Sequence, residues 1–234
     1  MSQVDRDDVD RQPPAQLPLE LPIAPSLGRE DFLAAPCNRA AAAMIDQWPD
    51  WSDPFLMLLG PPGSGKSHLC AIWAQQAEAL AVAPGAVPSL ESLVAAAPPA
   101  LVVDGVDCVA DETALFHLLN FAKESGAFVL MSSRRPPRAG EILLPDLLSR
   151  LRRAPMIEIG APDDDLIRAV LEKLFRDRQL VVEASLLDYA ALRLERSLDA
   201  ARAFARELDR EALARGRRVT RSLAGEVLER FFAG

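Results

Sequence analysis

Short apolar runs that alternate with helical stretches form the main pattern of the chain. The runs at 55–59, 100–104 and 126–133 have the length of buried strands. Between the last two lies 113–123, where apolar residues recur at helical spacing and form one face, made of Leu115, Leu118, Leu119 and Ala122. Strands that alternate with helices predict an α/β fold with a parallel sheet wrapped by helices.

Weaker patterns predict the remaining elements. Short strands are expected at 81–83 and 156–159. Helices are expected at 38–45, 68–80, 89–97 (with Ser89 as N-cap) and 145–153, and then at 163–178, 185–194, 197–214 and 220–232. No strand lies among the last four helices, so they predict a small all-helical second domain.

The first residues differ in composition from the rest. Residues 1–25 are polar and charged at the start and contain prolines at 13, 14, 18, 22 and 25, which is typical of a flexible tail. We therefore expect three parts: a tail over 1–25, an α/β domain over 26–160 and a helical domain over 161–234.

Bulk composition narrows the class of protein. Half of the 234 residues are hydrophobic, and the net charge of −8 argues against a large nonspecific nucleic-acid surface, although a local basic patch stays open. The absence of a membrane-length apolar run and of a signal peptide predicts a cytoplasmic protein with no membrane partner. Cys37, Cys70 and Cys108 lack metal-ligand spacing, and we expect reduced thiols, with Cys70 and Cys108 in the core.

The most specific motif lies between the first strand and the helix after it. Residues 60–67 read Gly-Pro-Pro-Gly-Ser-Gly-Lys-Ser and fit G-x-x-x-x-G-K-[ST], the phosphate-binding loop of P-loop NTPases. Glycines let several N–H groups point at one phosphate, and the helix N-terminus adds its dipole. Lys66 can reach the phosphates and Ser67 can hold Mg²⁺. The nucleotide-binding residues predicted here are Pro62, Gly63, Ser64, Gly65, Lys66, Ser67 and His68.

Asp104 ends the apolar run at 100–104, which is the pattern of a Walker B strand. An acid at the carboxyl end of a parallel strand lies beside the phosphate loop, where it can hold Mg²⁺ through water. Upstream, Phe32 and Leu33 have two interpretations that the pattern does not separate: they lie near the nucleotide base, or they pack in the core.

An unusual segment lies inside the tail. Residues 16–22 read Gln-Leu-Pro-Leu-Glu-Leu-Pro, with leucines at alternate positions. In an extended segment Leu17, Leu19 and Leu21 would share one face and could fill pockets on a partner. The pattern equally allows a tail that packs back on its own domain.

The order of these motifs resembles that of AAA+ ATPases and, in more detail, of the DnaA/Hda family. Asp31-Phe32-Leu33 with Asn38-Arg39-Ala40 resembles the segment that leads into the ATPase core of DnaA. Residues 132–137 and 144–151 resemble the stretch from sensor 1 to the arginine finger. Residues 16–21 resemble the hexapeptide with which replication proteins dock on the β sliding clamp. The resemblance implies that the helical domain over 161–234 is a lid, and we expect no helix-turn-helix domain after it.

The resemblance implies a negative regulator of replication initiation. Such a protein holds ADP or ATP with Mg²⁺, docks on the DNA-loaded β sliding clamp (the β subunit of DNA polymerase III) and stimulates hydrolysis of the ATP that DnaA holds. DNA would be contacted mainly through the clamp, and self-association as a homodimer is left open. The implied roles are arginine finger in trans for Arg150, sensor 2 for Arg196, sensor 1 for Ser132 or Ser133, nucleotide contact for Phe32, Leu33, Asn38 and Asp104, and clamp contact for Gln16, Leu17, Leu19 and Leu21.

Two departures from the family pattern weaken the case for intrinsic hydrolysis. Gly105 follows Asp104 where many AAA+ ATPases have a second acid, and Arg134 stands where the family commonly has Asp. Without the resemblance, Arg150 reads as a surface charge and Arg196 equally as part of a helix salt bridge. Two alternatives remain: a self-sufficient ATPase like a helicase loader, and an adaptor whose nucleotide only stabilises the fold.

Overall fold

The computed structural model describes residues 27–232 and contains one parallel sheet. Its strands are β1 (Phe55–Leu59), β2 (Leu80–Val82), β3 (Ala100–Asp104), β4 (Phe128–Ser133) and β5 (Met156–Glu158). Their order across the sheet is β2-β3-β4-β1-β5, and all four neighbouring pairs run parallel. The strands that carry the phosphate loop and the Walker B acid therefore lie on either side of β4.

Helices cover both faces of the sheet and form the region after it. Their bounds are α1 (Arg39–Asp46), α2 (Lys66–Gln76), α3 (Leu90–Ala96), α4 (Glu112–Ser125), α5 (Pro145–Arg153), α6 (Asp164–Asp177), α7 (Ala184–Ala191), α8 (Leu198–Arg215) and α9 (Arg221–Phe232). Five of them begin at a side chain that accepts a hydrogen bond from the first turn, namely Ser89, Asp111, Asp163, Ser197 and Thr220. Such N-caps satisfy backbone N–H groups that have no partner inside the helix.

The sheet separates two apolar clusters. One face packs on α1 and α2 around Trp73, and the other on α3, α4 and α5 around Leu118 and Met131. All five residues of β1 are buried, as expected for a central strand covered on both faces. A third cluster joins α6 to α9, with the rings of Phe175 and Phe204 in edge contact at its centre. This third cluster is the core of the helical lid.

The predicted fold class is confirmed, and the differences are local. The helix expected over 68–80 ends at Gln76, because Glu78 adopts a left-handed conformation and the Ala79 N–H bonds to the Ala74 carbonyl. Cys70 is buried as expected, but the prediction for Cys108 is wrong, because a 3-10 turn over Val106–Cys108 leaves its side chain exposed.

Two further expectations concern the tail and the membrane. The segment 16–21 lies outside the described residues, so the proposed clamp peptide stays a prediction. Over residues 27–232, no helix combines the length and the apolar character that crossing a bilayer requires.

Candidate nucleotide-binding site

The phosphate loop joins the carboxyl end of β1 to the first turn of α2. Two of its glycines adopt left-handed conformations, Gly63 at φ +67° and Gly65 at φ +102°, and Gly65 is the N-cap of α2. Other residues enter this region only with strain. The loop thus turns its backbone tightly at the N-terminal end of an 11-residue helix, which is the geometry that favours binding of an anion.

The Lys66 side chain folds back along the loop. Its Nζ donates to the carbonyl oxygens of Gly60 at 2.7 Å and Pro61 at 2.8 Å. Burial lowers the pKa of Lys66, and the nearby Asp104 and Asp107 oppose this shift. The ammonium group is therefore partly desolvated, and this would strengthen its electrostatic interaction with a bound phosphate.

The hydroxyl of Ser64 is buried in the centre of the loop. No group within residues 27–232 forms a hydrogen bond with it. A buried hydroxyl without a partner is costly and calls for an explanation. A phosphate oxygen in the loop would supply an acceptor for it.

The Walker B acid is connected to the next strand by a serine. The parallel register places Asp104 opposite Ser132, and the Ser132 hydroxyl donates to the Asp104 carboxylate. The same hydroxyl accepts from the N–H of Gly105 at 2.9 Å. Ser132, one of the two sensor 1 candidates, thus fixes the orientation of the acid that is predicted to hold Mg²⁺.

Three more predicted residues lie close to Asp104 along the chain or the sheet. They are Ser133, the other sensor 1 candidate, and Gly105 and Arg134, the two departures from the family pattern. The Ser133 hydroxyl donates to the Arg135 carbonyl at 2.7 Å and so holds its own loop. Gly105 is left-handed at φ +93° and begins the turn that carries Asp107. Asp107 lies 3.6 Å from the Arg134 guanidinium, so the second acid of this region is engaged by a cation.

The segment before α1 lies against the phosphate loop and the lid. Phe32 is buried and meets the ring of His68 edge-on at 5.3 Å, while Leu33 packs against the lid cluster. Asn38 is buried, accepts from the Ala35 N–H at 2.8 Å and donates to the Leu33 carbonyl at 3.0 Å. Asn38 therefore stabilises this turn through hydrogen bonds inside it. Phe32 packs with the sheet and Leu33 packs with the lid, so the segment contacts both.

The lid contacts the phosphate loop directly, and no sequence motif predicts this contact. The N–H of Leu198, the first residue of α8, donates to the Gly63 carbonyl at 2.8 Å. A β-carbon on Gly63 would lie 2.0 Å from the Ser197 hydroxyl oxygen. An ion pair of Lys173 in α6 with Asp31 at 2.5 Å ties the lid to the segment before α1.

The two predicted arginines lie apart. Arg196 is exposed and pairs with Asp164 of α6 at 3.2 Å, next to the residues that contact Gly63. Arg150 lies on α5, where it donates to the Leu119 carbonyl at 3.2 Å and its guanidinium lies 5.5 Å from the centre of the Phe116 ring. Arg150 lines a groove with Asp53 and its neighbours, at the end of β1 opposite the phosphate loop.

These residues fit a nucleotide with its magnesium ion. The left-handed glycines, the Ser64 hydroxyl and Lys66 suit phosphate oxygens, while Ser67 and Asp104 suit Mg²⁺. Within the described residues, no cluster of three His, Cys, Asp or Glu side chains could hold a metal by itself. A magnesium ion here would take its other ligands from phosphate and water.

Gly63→Ala should destabilise the lid contact as well as the loop. The methyl group meets Ser197, and the left-handed backbone adds about 1–2 kcal/mol of strain. We expect lower thermal stability and weaker nucleotide affinity. Gly126→Ala is the matched control, because Gly126 is also left-handed and has nothing within 4 Å of its β-carbon position. Equal losses in both variants would show that the lid contact contributes nothing.

His68→Gln should alter how stability depends on pH. His68 is buried, donates to the Gly28 carbonyl at 3.1 Å, and has a pKa lowered chiefly by burial from its ordinary value of 6.5. The unfolded chain then binds the proton first, so this contribution to stability is complete above pH 6.5 and falls below it.

Thermal unfolding at neutral and at mildly acidic pH tests this expectation. Glutamine keeps an N–H donor but does not titrate, so the variant should lose less stability on acidification than the wild type. His117→Gln, at the exposed histidine of α4, is the control and should behave like the wild type. A His68 variant with the same acid sensitivity as the wild type would refute the assignment.

Fold and site together define the class: this is a P-loop domain with the AAA+ fold. Within that class the fold is DnaA-like. Domain III of the replication initiation protein DnaA from Thermotoga maritima matches with a TM-score of 0.73 at 20% identity, over 90% of this chain and 98% of that chain. No family model matches the sequence.

Other AAA+ structures are similar at comparable distance. AMPPCP-bound DnaA from Aquifex aeolicus has a TM-score of 0.66 at 16% identity, over 81% of this chain and 67% of that chain. A structure described for katanin self-assembly has a TM-score of 0.66 at 17% identity, over 86% and 84%. At these identities the likeness shows the fold, and the activity must be argued from the residues.

Proposed function

We propose that this protein is an Hda-like regulatory inactivator of DnaA. It would hold ADP or ATP with Mg²⁺ at residues 60–67 and dock on the DNA-loaded β sliding clamp through residues 16–21. It would promote hydrolysis of DnaA-bound ATP with Arg150. The DnaA-like fold and the nucleotide-bound DnaA structure among its neighbours support this proposal.

One observation carries it: the position of Arg150 relative to the protein's own nucleotide site. The groove that Arg150 lines includes Asp53, Pro54 and Phe55 at the start of β1, and the phosphate loop follows the other end of that strand. A five-residue strand spans about 16 Å, since each residue advances about 3.3 Å. Arg150 therefore lies near the end of β1 that is remote from its own phosphate loop, which suits an arginine that serves a partner's site.

The protein's own nucleotide site also supports a role in which hydrolysis takes place on a partner. Gly105 has no side chain to orient a water, and Asp107 is paired with Arg134. Asp104 with Ser67 would hold Mg²⁺, and Lys66 with the loop N–H groups would hold phosphate. The site is thus suited to retaining a nucleotide more than to hydrolysing it.

In the complex, the guanidinium of Arg150 would neutralise charge that develops on the transferring phosphoryl group of DnaA-bound ATP. Its planar fork can donate two hydrogen bonds to phosphate oxygens at once. The contacts to Leu119 and Phe116 hold the side chain on α5 in a defined direction. This pre-positioning is how an arginine supplied in trans gains its effect.

The ATPase rate of ATP–DnaA tests the proposal, measured with this protein in the presence and absence of the DNA-loaded clamp. We expect stimulation only when both are present, and loss of stimulation on Leu17→Ala with Leu21→Ala. Steady hydrolysis by this chain alone would favour the helicase-loader-like alternative. Stimulation unaffected by the leucine substitutions would refute clamp docking through 16–21.

A further inference from the structure

A group of exposed arginines lies on the lid. The guanidinium carbons of Arg193, just after α7, and Arg221, at the start of α9, lie 3.9 Å and 4.6 Å from the centre of the same ring, that of Tyr189. Arg217 and Arg218 are exposed in the short loop that joins α8 to α9. We name these four exposed arginines the lid arginine patch.

The charges of this patch are not neutralised by the protein. Within residues 27–232, none of its four arginines forms an ion pair, and the neighbouring acids are engaged elsewhere. Asp188 pairs with Arg168 at 2.6 Å, and Glu226 pairs with Arg215 at 2.6 Å. In a chain of net charge −8, most lid arginines are paired, so an unpaired group of four is a local exception.

We propose that the lid arginine patch binds the phosphate backbone of duplex DNA. Planar guanidinium groups held side by side suit neighbouring phosphates, each of which can accept two hydrogen bonds. Both guanidinium groups lie over the Tyr189 ring, so the ring supports the cations instead of stacking on a base. The affinity should therefore depend on the charge of the phosphates and not on the base sequence of the DNA.

Two of the four guanidinium groups are held against the Tyr189 ring, and a backbone hydrogen bond anchors the loop of Arg217. The Arg193 side chain also donates to the Tyr189 carbonyl at 3.3 Å, and the Arg217 N–H donates to the Ala212 carbonyl at 3.1 Å. Arginines that are already oriented lose less entropy when they bind phosphate. Binding of DNA by the patch does not depend on the proposed function. Only the idea that the patch contacts the DNA that carries the clamp rests on that function.

Fluorescence anisotropy with a labelled duplex of random sequence, without clamp or DnaA, tests the inference. Four phosphate contacts predict a log–log salt slope of about −4 between roughly 50 and 200 mM salt. Arg193→Ala with Arg221→Ala should weaken binding roughly tenfold at low salt and reduce the slope by about 2.

Arg176→Ala with Arg210→Ala is the matched control. It removes the same charge from exposed lid arginines that are paired with Glu172 and Glu207. Tyr189→Leu, which removes the supporting ring, should weaken binding while Tyr189→Phe keeps it. Equal losses in the control, or binding to phosphatidylserine vesicles with none to DNA, would overturn the proposal. Thermal unfolding of each variant shows that a loss of binding is not a loss of fold.

Discussion

Arg150→Ala is expected to abolish clamp-dependent stimulation of DnaA-bound ATP hydrolysis. An arginine supplied in trans to a phosphoryl-transfer site contributes about 10³–10⁵ in rate, so the remaining rate should be close to that of DnaA alone. Arg150→Lys should also fail, because a lysine lacks the planar fork that contacts two oxygens. The measurement is single-turnover hydrolysis of labelled ATP on DnaA, with clamp binding of each variant measured in parallel.

The structure supplies a control for this expectation. Arg176 is an exposed lid arginine paired with Glu172, and Arg176→Ala should keep both stimulation and clamp binding. Arg150 is half-buried with one hydrogen bond to a helix carbonyl, so its loss should cost little stability. A fully active and correctly folded Arg150→Ala would leave an adaptor role in place of the arginine finger.

Lys66→Ala is expected to remove most of the affinity for nucleotide. A hydrogen bond to a charged group contributes about 1.5–3 kcal/mol, so affinity should fall roughly tenfold to a hundredfold. Ligand binding stabilises the folded state by about 2.7 kcal/mol at a hundredfold excess over Kd. The variant should therefore show a much smaller rise in unfolding temperature with ADP or ATP than the wild type shows.

Two comparisons make this test selective. Lys123→Ala removes an exposed lysine of α4 and should keep the full nucleotide response. The unfolding temperature without nucleotide must be measured separately, because Lys66 also bonds two carbonyls of its own loop. An unchanged response to ADP and ATP in Lys66→Ala would contradict nucleotide binding at this loop.

The sequence predicted the sheet well because its strands are buried on both faces. The run at 100–104 is apolar up to its last residue, and β3 has those bounds. It failed at two turns. α2 stops before a left-handed Glu78, a residue that carries no stop signal. Cys108 is exposed because a turn begins at left-handed Gly105.

The candidate site was predictable only where a local motif specifies it. The phosphate loop and Asp104 lie together because parallel strands end at one edge of the sheet. The contact of Leu198 with Gly63 and the ion pair of Lys173 with Asp31 join segments more than 130 residues apart. Neither has a sequence signature, since each depends on how the lid packs against the sheet.

The bond between α8 and the phosphate loop also bears on how long a nucleotide stays. For a nucleotide to leave between loop and lid, Leu198 must separate from Gly63, and lid movements of this kind take microseconds to seconds. Release of the nucleotide would then be limited by how often the lid opens. The contact between lid and loop would thereby set the residence time of the bound nucleotide.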